Sequence, residues 1–150
     1  RNTELRGIVT LQSGQTLTPI LRFDNSNTGN TGQQSGSDHP NVGGNPTLSN
    51  PTADQWFNTA AFAVPPAYTF GNAGRNILRG PDFASVDLSL ARRIRLKGKA
   101  ALWLEAQVFN LLNRTNFDLP ERYVDEPATF GRIFSAKSPR QVQCAVRVSF

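Results

Sequence analysis

Three stretches of the chain alternate between apolar and polar residues. In 83–97 every even position is Ala, Val, Leu or Ile except Arg92, and 99–112 and 140–150 continue the pattern. A shorter version occurs at 5–13. A period of two places successive side chains on opposite faces of a β-strand. The sequence therefore predicts an all-β fold, an antiparallel meander of about four long strands.

A helix is the main alternative for 99–112, because Ala, Leu, Glu and Gln are good helix formers. The clean alternation there, shared with the neighbouring stretches, favours a strand.

The connections between these strands are unusually long. Residues 24–55 are almost entirely polar, Gly or Pro, and 56–82 add aromatic residues between prolines and glycines. We therefore predict long irregular loops at 23–82 and 114–139. Loops of such length are functional or disordered, and the aromatic residues favour a loop that packs on something. Trp56, Phe57 and Tyr68 are the candidate ligand-binding residues.

Strand length and loop asymmetry indicate what the apolar face meets. A strand of fifteen residues spans about 50 Å, whereas strands of soluble proteins usually have about five or six residues. Only Lys97-Gly98-Lys99 separates two of the strands, while the opposite connections are long. Short periplasmic turns and long external loops are typical of outer-membrane barrels. The expected location is the cell outer membrane, with lipid against the apolar face.

The last residues strengthen this interpretation. Phe150 closes the chain, and Val148 and Val146 precede it at alternate positions. This ending resembles the signal by which the barrel assembly machinery recognises outer-membrane barrels. The alternative is an ordinary edge strand that ends in Phe.

Composition limits the remaining classes. The 150 residues carry a net charge of +5 and one cysteine. No apolar run reaches the roughly 18 residues of a transmembrane helix, and one cysteine cannot build a disulfide framework. We treat 1–150 as a single segment, and expect it to be part of a longer protein.

Candidate chemistry is sparse. His39 is the only histidine, and 24–29 resemble half of a calcium loop but have Ser35 where a bidentate Glu is needed. No Gly-x-Ser-x-Gly motif occurs, and Cys144 is expected to be an inert, buried thiol. We predict no catalytic residue, metal site or cofactor, and hence no enzyme.

Charged residues have structural interpretations. The basic run 92–99 could suggest nucleic-acid binding, but it falls at a strand end and turn, where Lys and Arg can reach lipid phosphates. We therefore predict no nucleic-acid partner. Polar residues of the opposite face are expected to pair across strands: Asp87, Arg93, Glu105, Gln107 and Arg147.

Several short motifs, in order, resemble the C-terminal barrel region of TonB-dependent receptors of the Oar-like group. They lie at 7–14 (GIVTLQSG), 56–62 (WFNTAAF), 70–76 (FGNAGRN), 79–81 (RGP), 86–90 (VDLSL), 105–113 (EAQVFNLLN), 130–133 (FGRI) and 139–150. The resemblance implies a barrel of about 22 strands with a plug domain, which imports scarce ligands such as metal chelates or oligosaccharides with energy supplied through TonB. It implies as partners the remainder of the barrel and its plug domain, the barrel assembly machinery, TonB and lipid.

Two alternatives stay open at this point. One is a soluble β-sandwich that binds carbohydrate through exposed aromatic residues, with the apolar face as its core. The other is a small hydrolase on the same strands, although the sequence offers no nucleophile and base at suitable spacing.

Overall fold

The computed structural model of the chain describes residues 3–29 and 37–150. Its eight strands are β1 (Thr3–Gln12), β2 (Thr16–Leu17), β3 (Asn41–Val42), β4 (Phe62–Ala63), β5 (Leu78–Arg79), β6 (Phe83–Arg95), β7 (Ala101–Phe109) and β8 (Gln141–Ser149), and one 3-10 turn covers Thr59–Ala61. In these two described ranges, no helix has the length and apolar character needed to span a membrane.

The four long strands form one antiparallel sheet in the order β1-β6-β7-β8. Each long strand pairs with the next long strand along the chain, so the predicted meander is confirmed. Because neighbouring strands are antiparallel, both long connections leave the sheet at one end and the short turn lies at the other.

The register keeps the two sets of side chains apart across the whole sheet. Leu5 lies opposite Leu90, and Leu90 lies opposite Ala106. Ala106 in turn lies opposite Cys144. A shift of one residue between any two strands would mix the two faces. The alternation within each strand therefore becomes one continuous apolar face and one polar face.

The strands differ from the predicted ranges mainly at their ends. The strand predicted at 99–112 ends at Phe109, because Asn110 and Asn113 have left-handed backbone angles, with φ of 50° and 51°. Those predicted at 83–97, 5–13 and 140–150 likewise end at Arg95, Gln12 and Ser149. In each case, the alternation of apolar and polar residues continues beyond the last residue that pairs with a neighbouring strand.

The tight turn between β6 and β7 has a clear backbone basis. The Leu96 amide donates to the Ala100 carbonyl at 2.9 Å, which closes a loop around 97–99. Gly98, with φ of 75°, occupies the left-handed region that glycine adopts most easily.

The chain divides into two compact units. The sheet unit comprises the described residues of Arg1–Ser13, Asp82–Asn116 and Lys137–Phe150. The loop unit comprises the described residues of Gly14–Pro81 and Phe117–Ala136. The two long loops thus contribute to one folded body.

The loop unit has its own hydrophobic core, built around three aromatic rings. Phe57 and Phe130 have ring centroids 5.0 Å apart, and Phe62 lies 6.0 Å from Phe57 and 5.6 Å from Phe130, all edge to face. Leu17 and Leu78 from the paired strands β2 and β5 complete the buried cluster. Edge-to-face contacts of this kind add to the stabilisation from burial.

Candidate functional site

Trp56 is held in place by the loop unit. Its indole Nε1 donates to the Arg79 carbonyl at 2.9 Å, and its ring meets Phe117 edge-on at 6.5 Å. The residue is half-buried. Both the polar and the apolar parts of the side chain are therefore used in packing, although part of the ring remains accessible.

Phe57 is a core residue, not an exposed ligand contact. Its side chain is 3% exposed and lies among the aromatic rings described above. A buried ring cannot stack on a ligand unless the core opens. The sequence could not distinguish it from its neighbour Trp56, because both belong to an irregular segment without periodicity.

Tyr68 is presented to solvent, together with an aromatic residue that was not predicted. Tyr68 is 77% exposed and Phe70 is 70% exposed. Tyr68 adopts φ of 65°, an uncommon conformation for a non-glycine residue that needs support from its surroundings. The sequence does not separate Phe70 from Phe130, since both precede a glycine in a long loop and only Phe130 is buried.

A buried asparagine supplies that support. The Asn25 amide nitrogen donates to the Pro66 carbonyl at 3.0 Å and to the Thr69 carbonyl at 2.9 Å. The Asn25 carbonyl accepts from the Tyr68 amide at 2.7 Å, and the Thr69 hydroxyl donates to Pro66 at 2.6 Å. We call 66–70 the aromatic turn. Its rings are exposed on a backbone that is already fixed.

The calcium-like stretch is folded upon itself. Asp24 accepts from the amides of Thr28 at 3.1 Å and Gly29 at 2.7 Å, and the Ser26 hydroxyl bridges Asp24 and the buried Asp38. Ser35 lies outside the described residues. Among the residues that are described, no group of three or more His, Cys, Asp or Glu side chains could hold a metal ion.

His39 takes part in the packing of the same unit. Its Nδ1 lies 2.7 Å from the Ala73 carbonyl oxygen, and the side chain is half-buried. This polar contact gives the ring a structural role.

On the polar face of the sheet unit, arginines flank a tryptophan near the short turn. The Arg93 guanidinium lies 5.0 Å from the Trp103 ring centre, and Arg147 is the register partner of Trp103 on the other side. A cavity of about 280 Å³ is lined there by Trp103, Glu105, Ala145 and Arg147. Glu105 accepts from Gln107 of its own strand at 2.7 Å. This contact between Glu105 and Gln107 runs along one strand, whereas pairing across strands was predicted.

Another cavity lies at the opposite end of the same face. It has a volume of about 290 Å³ and its lining includes Phe83, Asp87, Phe109 and Lys137. The Asp87 carboxylate accepts from the Ser85 hydroxyl and from the Asn110 amide, both at 2.8 Å. Asp87 therefore bonds to the backbone of the residue that follows the neighbouring strand, rather than to a charged side chain.

The apolar face of the sheet is exposed along its length. Large residues on it include Leu5, Val9, Leu11, Leu90, Leu104, Val142, Val146 and Val148. Cys144 is also exposed there, so the prediction of a buried thiol was wrong: its neighbours are apolar, but they lie beside the thiol and do not cover it. Phe150, with the alternating Val146 and Val148 before it, is almost fully exposed.

This exposure contradicts the sandwich alternative. A sandwich requires a second sheet over the apolar face, and the described residues of the sheet unit form one sheet of four strands. Apolar area this extensive marks contact with a protein or a membrane.

Comparison with known proteins identifies the type of sheet. A family model described as "Outer membrane beta barrel domain" matches residues 3–143. Searches of curated proteins and of solved structures return no significant match.

Proposed function

The chain belongs to the outer membrane beta barrel domain family, and on that premise we propose that it forms part of the wall of a TonB-dependent receptor. The family places the chain in the outer membrane, where the apolar face meets lipid. The finer assignment is supported by the ordered motifs that resemble Oar-like receptors, from 56–62 to 139–150. The proposed role is ligand uptake or surface binding, without catalysis.

The sheet itself needs further strands. An open sheet edge within lipid leaves backbone groups without partners, at a cost of several kcal/mol each. Both β1 and β8 are edges of the four-stranded sheet. We propose that the remainder of the barrel pairs with these edges, that the plug domain lies on the polar face, and that the barrel assembly machinery recognises Val146, Val148 and Phe150.

The observation that carries the receptor proposal is the folded loop unit. A simple structural barrel has no need for long connections with a buried aromatic core and a fixed, exposed aromatic turn. Binding sites are often loops positioned by a rigid scaffold. We propose that Tyr68, with Phe70 beside it and the accessible edge of Trp56, contributes to the external ligand-binding surface.

TonB dependence is tested on the complete protein that contains this chain. The purified periplasmic domain of TonB is titrated against that protein in detergent micelles. Saturable binding supports the proposal. If no binding is detected, with or without the candidate ligands below, the receptor assignment fails while the outer-membrane barrel still stands.

The ligand role of the aromatic turn needs a separate measurement. A panel of oligosaccharides and ferric chelates is screened by equilibrium binding to the complete protein, with Tyr68→Ala as the variant and Val64→Ala as the control. Val64 is also exposed in the loop unit. We expect Tyr68→Ala to weaken binding about tenfold, as for an aromatic contact residue, and Val64→Ala to have little effect. Equal affinity of all three proteins would contradict the role of Tyr68.

Orientation is tested in intact cells. We expect Tyr68→Cys to react with a membrane-impermeant maleimide, and Lys99→Cys to react only after the outer membrane is permeabilised. Both variants carry Cys144→Ala, so that no native thiol of this chain competes for the label. Labelling of Lys99→Cys in intact cells would reverse the proposed orientation.

A further inference from the structure

Arg92 breaks the apolar face of the sheet. It occupies an even position of β6, between Leu90 and Ile94 on the same face, and its register partners are Thr3 and Leu104. Every other position of this face in the four strands is uncharged. In the outer membrane, the Arg92 side chain therefore leaves the backbone on the lipid side of the barrel wall.

The position of Arg92 along the strand decides what it can reach. With a rise of about 3.3 Å per residue and a tilt of about 40°, the stretch from Ala84 to Ile94 spans about 25 Å along the membrane normal. That span equals the height of the apolar band of outer-membrane barrels, about 25 Å. Arg92 then lies about 5 Å inside the edge of the band, a distance that an arginine side chain covers by snorkelling.

The partner available at this depth is a lipid phosphate. The same-face neighbours of Arg92 are apolar or hydroxyl-bearing, so they offer no carboxylate. The turn beyond adds Lys97 and Lys99, both exposed. Arginine forms paired hydrogen bonds with phosphate oxygens, and a cluster of cations at a membrane surface attracts anionic lipids.

We propose that Arg92, with Lys97 and Lys99, forms a binding site for an anionic phospholipid headgroup at the turn-side edge of the barrel. Arg92 binds the phosphate from within the apolar band, and the two lysines add positive charge at the surface. The site rests on the outer-membrane placement of the sheet. It does not depend on TonB, on a ligand or on the plug domain.

The test is lipid retention by the complete barrel protein, measured by native mass spectrometry with phosphatidylglycerol or phosphatidylcholine added to the detergent. We expect the wild-type protein to retain phosphatidylglycerol with about fivefold higher affinity, the effect of one cation near a charged surface. Equal retention of the two lipids would overturn the proposal. This comparison needs no variant.

Variants locate the site. Arg92→Gln should lose most of the preference for phosphatidylglycerol, while Arg92→Lys should keep at least half of it. Arg95→Gln is the matched control, because it removes the same charge from the polar face at the same end of β6. If Arg95→Gln lowers retention as much as Arg92→Gln, net charge explains the preference and the proposed site is wrong.

Inorganic phosphate distinguishes a lipid site from a general phosphate site. A large excess of phosphate should leave bound phosphatidylglycerol in place, since the acyl chains lie along the apolar face. Complete displacement by phosphate would overturn the lipid assignment. The lipid result and the TonB titration are independent, so failure of either leaves the other interpretable.

Discussion

The two units of this protein treat their hydrophobic residues in opposite ways. The sheet unit exposes them: Leu11 is 76% exposed and Val146 is 69% exposed. The loop unit, despite a polar sequence, buries Phe57, Phe62 and Phe130 in a core. In the sheet unit, the environment outside the chain explains the sequence pattern, whereas in the loop unit the chain supplies its own apolar environment.

The largest predicted effect tests the core of the loop unit. Phe57→Ala removes the ring that contacts both Phe62 and Phe130. We expect the free energy of opening of this unit to fall by about 3–5 kcal/mol, as for aromatic truncations in cores. Hydrogen exchange at the Trp56 amide, which donates to the Gly131 carbonyl at 2.8 Å, measures the change.

Tyr68→Ala is the control for that experiment. The Tyr68 ring is exposed. Its removal should change the free energy of opening, measured at the same Trp56 amide, by no more than about 0.5 kcal/mol. Equal effects of the two variants would mean that the loop unit has no distinct core.

The next effect concerns the face of the sheet. Leu90→Arg places a charge near the middle of the apolar face, and we expect it to lower the free energy of unfolding from lipid vesicles by about 2–4 kcal/mol. Ser89→Arg, on the opposite face of the same strand, should cost less than about 1 kcal/mol. A similar loss in both variants would contradict the assignment of the faces.

A third variant tests how closely the loop unit is packed. A Cβ atom at Gly71 would overlap the carbonyl oxygens of His39 and Pro40, so Gly71→Ala requires the backbone to shift. We expect the free energy of opening of the loop unit, measured by hydrogen exchange, to fall by about 1–3 kcal/mol. Gly43→Ala, where a Cβ meets nothing within 4 Å, should be nearly neutral. A neutral result for Gly71→Ala would indicate a looser loop.

The smallest effect is expected for a surface ion pair. Arg22 and Glu126 lie 2.7 Å apart, with their side chains 56% and 46% exposed. Ion pairs that are open to solvent contribute little to stability. Arg22→Ala should therefore change the free energy of opening of the loop unit by less than about 1 kcal/mol. A larger fall in the free energy of opening, measured by hydrogen exchange, would mean that this contact holds the two loops together.

The sequence predicts the sheet well because its information is local. Each strand carries its own alternation, and the requirement that Leu90 and Ala106 share a face excludes every register shifted by an odd number of residues. The loop core could not be predicted, because Phe57 and Phe130 are far apart in the chain and neither belongs to a periodic segment.

The candidate site was predictable only in part, for the same reason. Tyr68 could be named as an aromatic loop residue, but its presentation depends on Asn25, whose role is set by three-dimensional contacts. For Cys144 the alternation gave the correct face, while burial of the thiol depends on what covers that face, which the residues of the sheet do not supply.

The central claim is that the apolar face meets lipid, and Cys144 allows a direct test. A fluorophore on Cys144 of the complete protein in bilayers is compared with one on Gln143→Cys in a Cys144→Ala background, using phosphatidylcholine with brominated acyl chains as the quencher. Positions 143 and 144 lie on opposite faces of β8. We predict strong quenching at Cys144 and little at position 143. Equal quenching at both positions, or quenching only at position 143, would contradict the account.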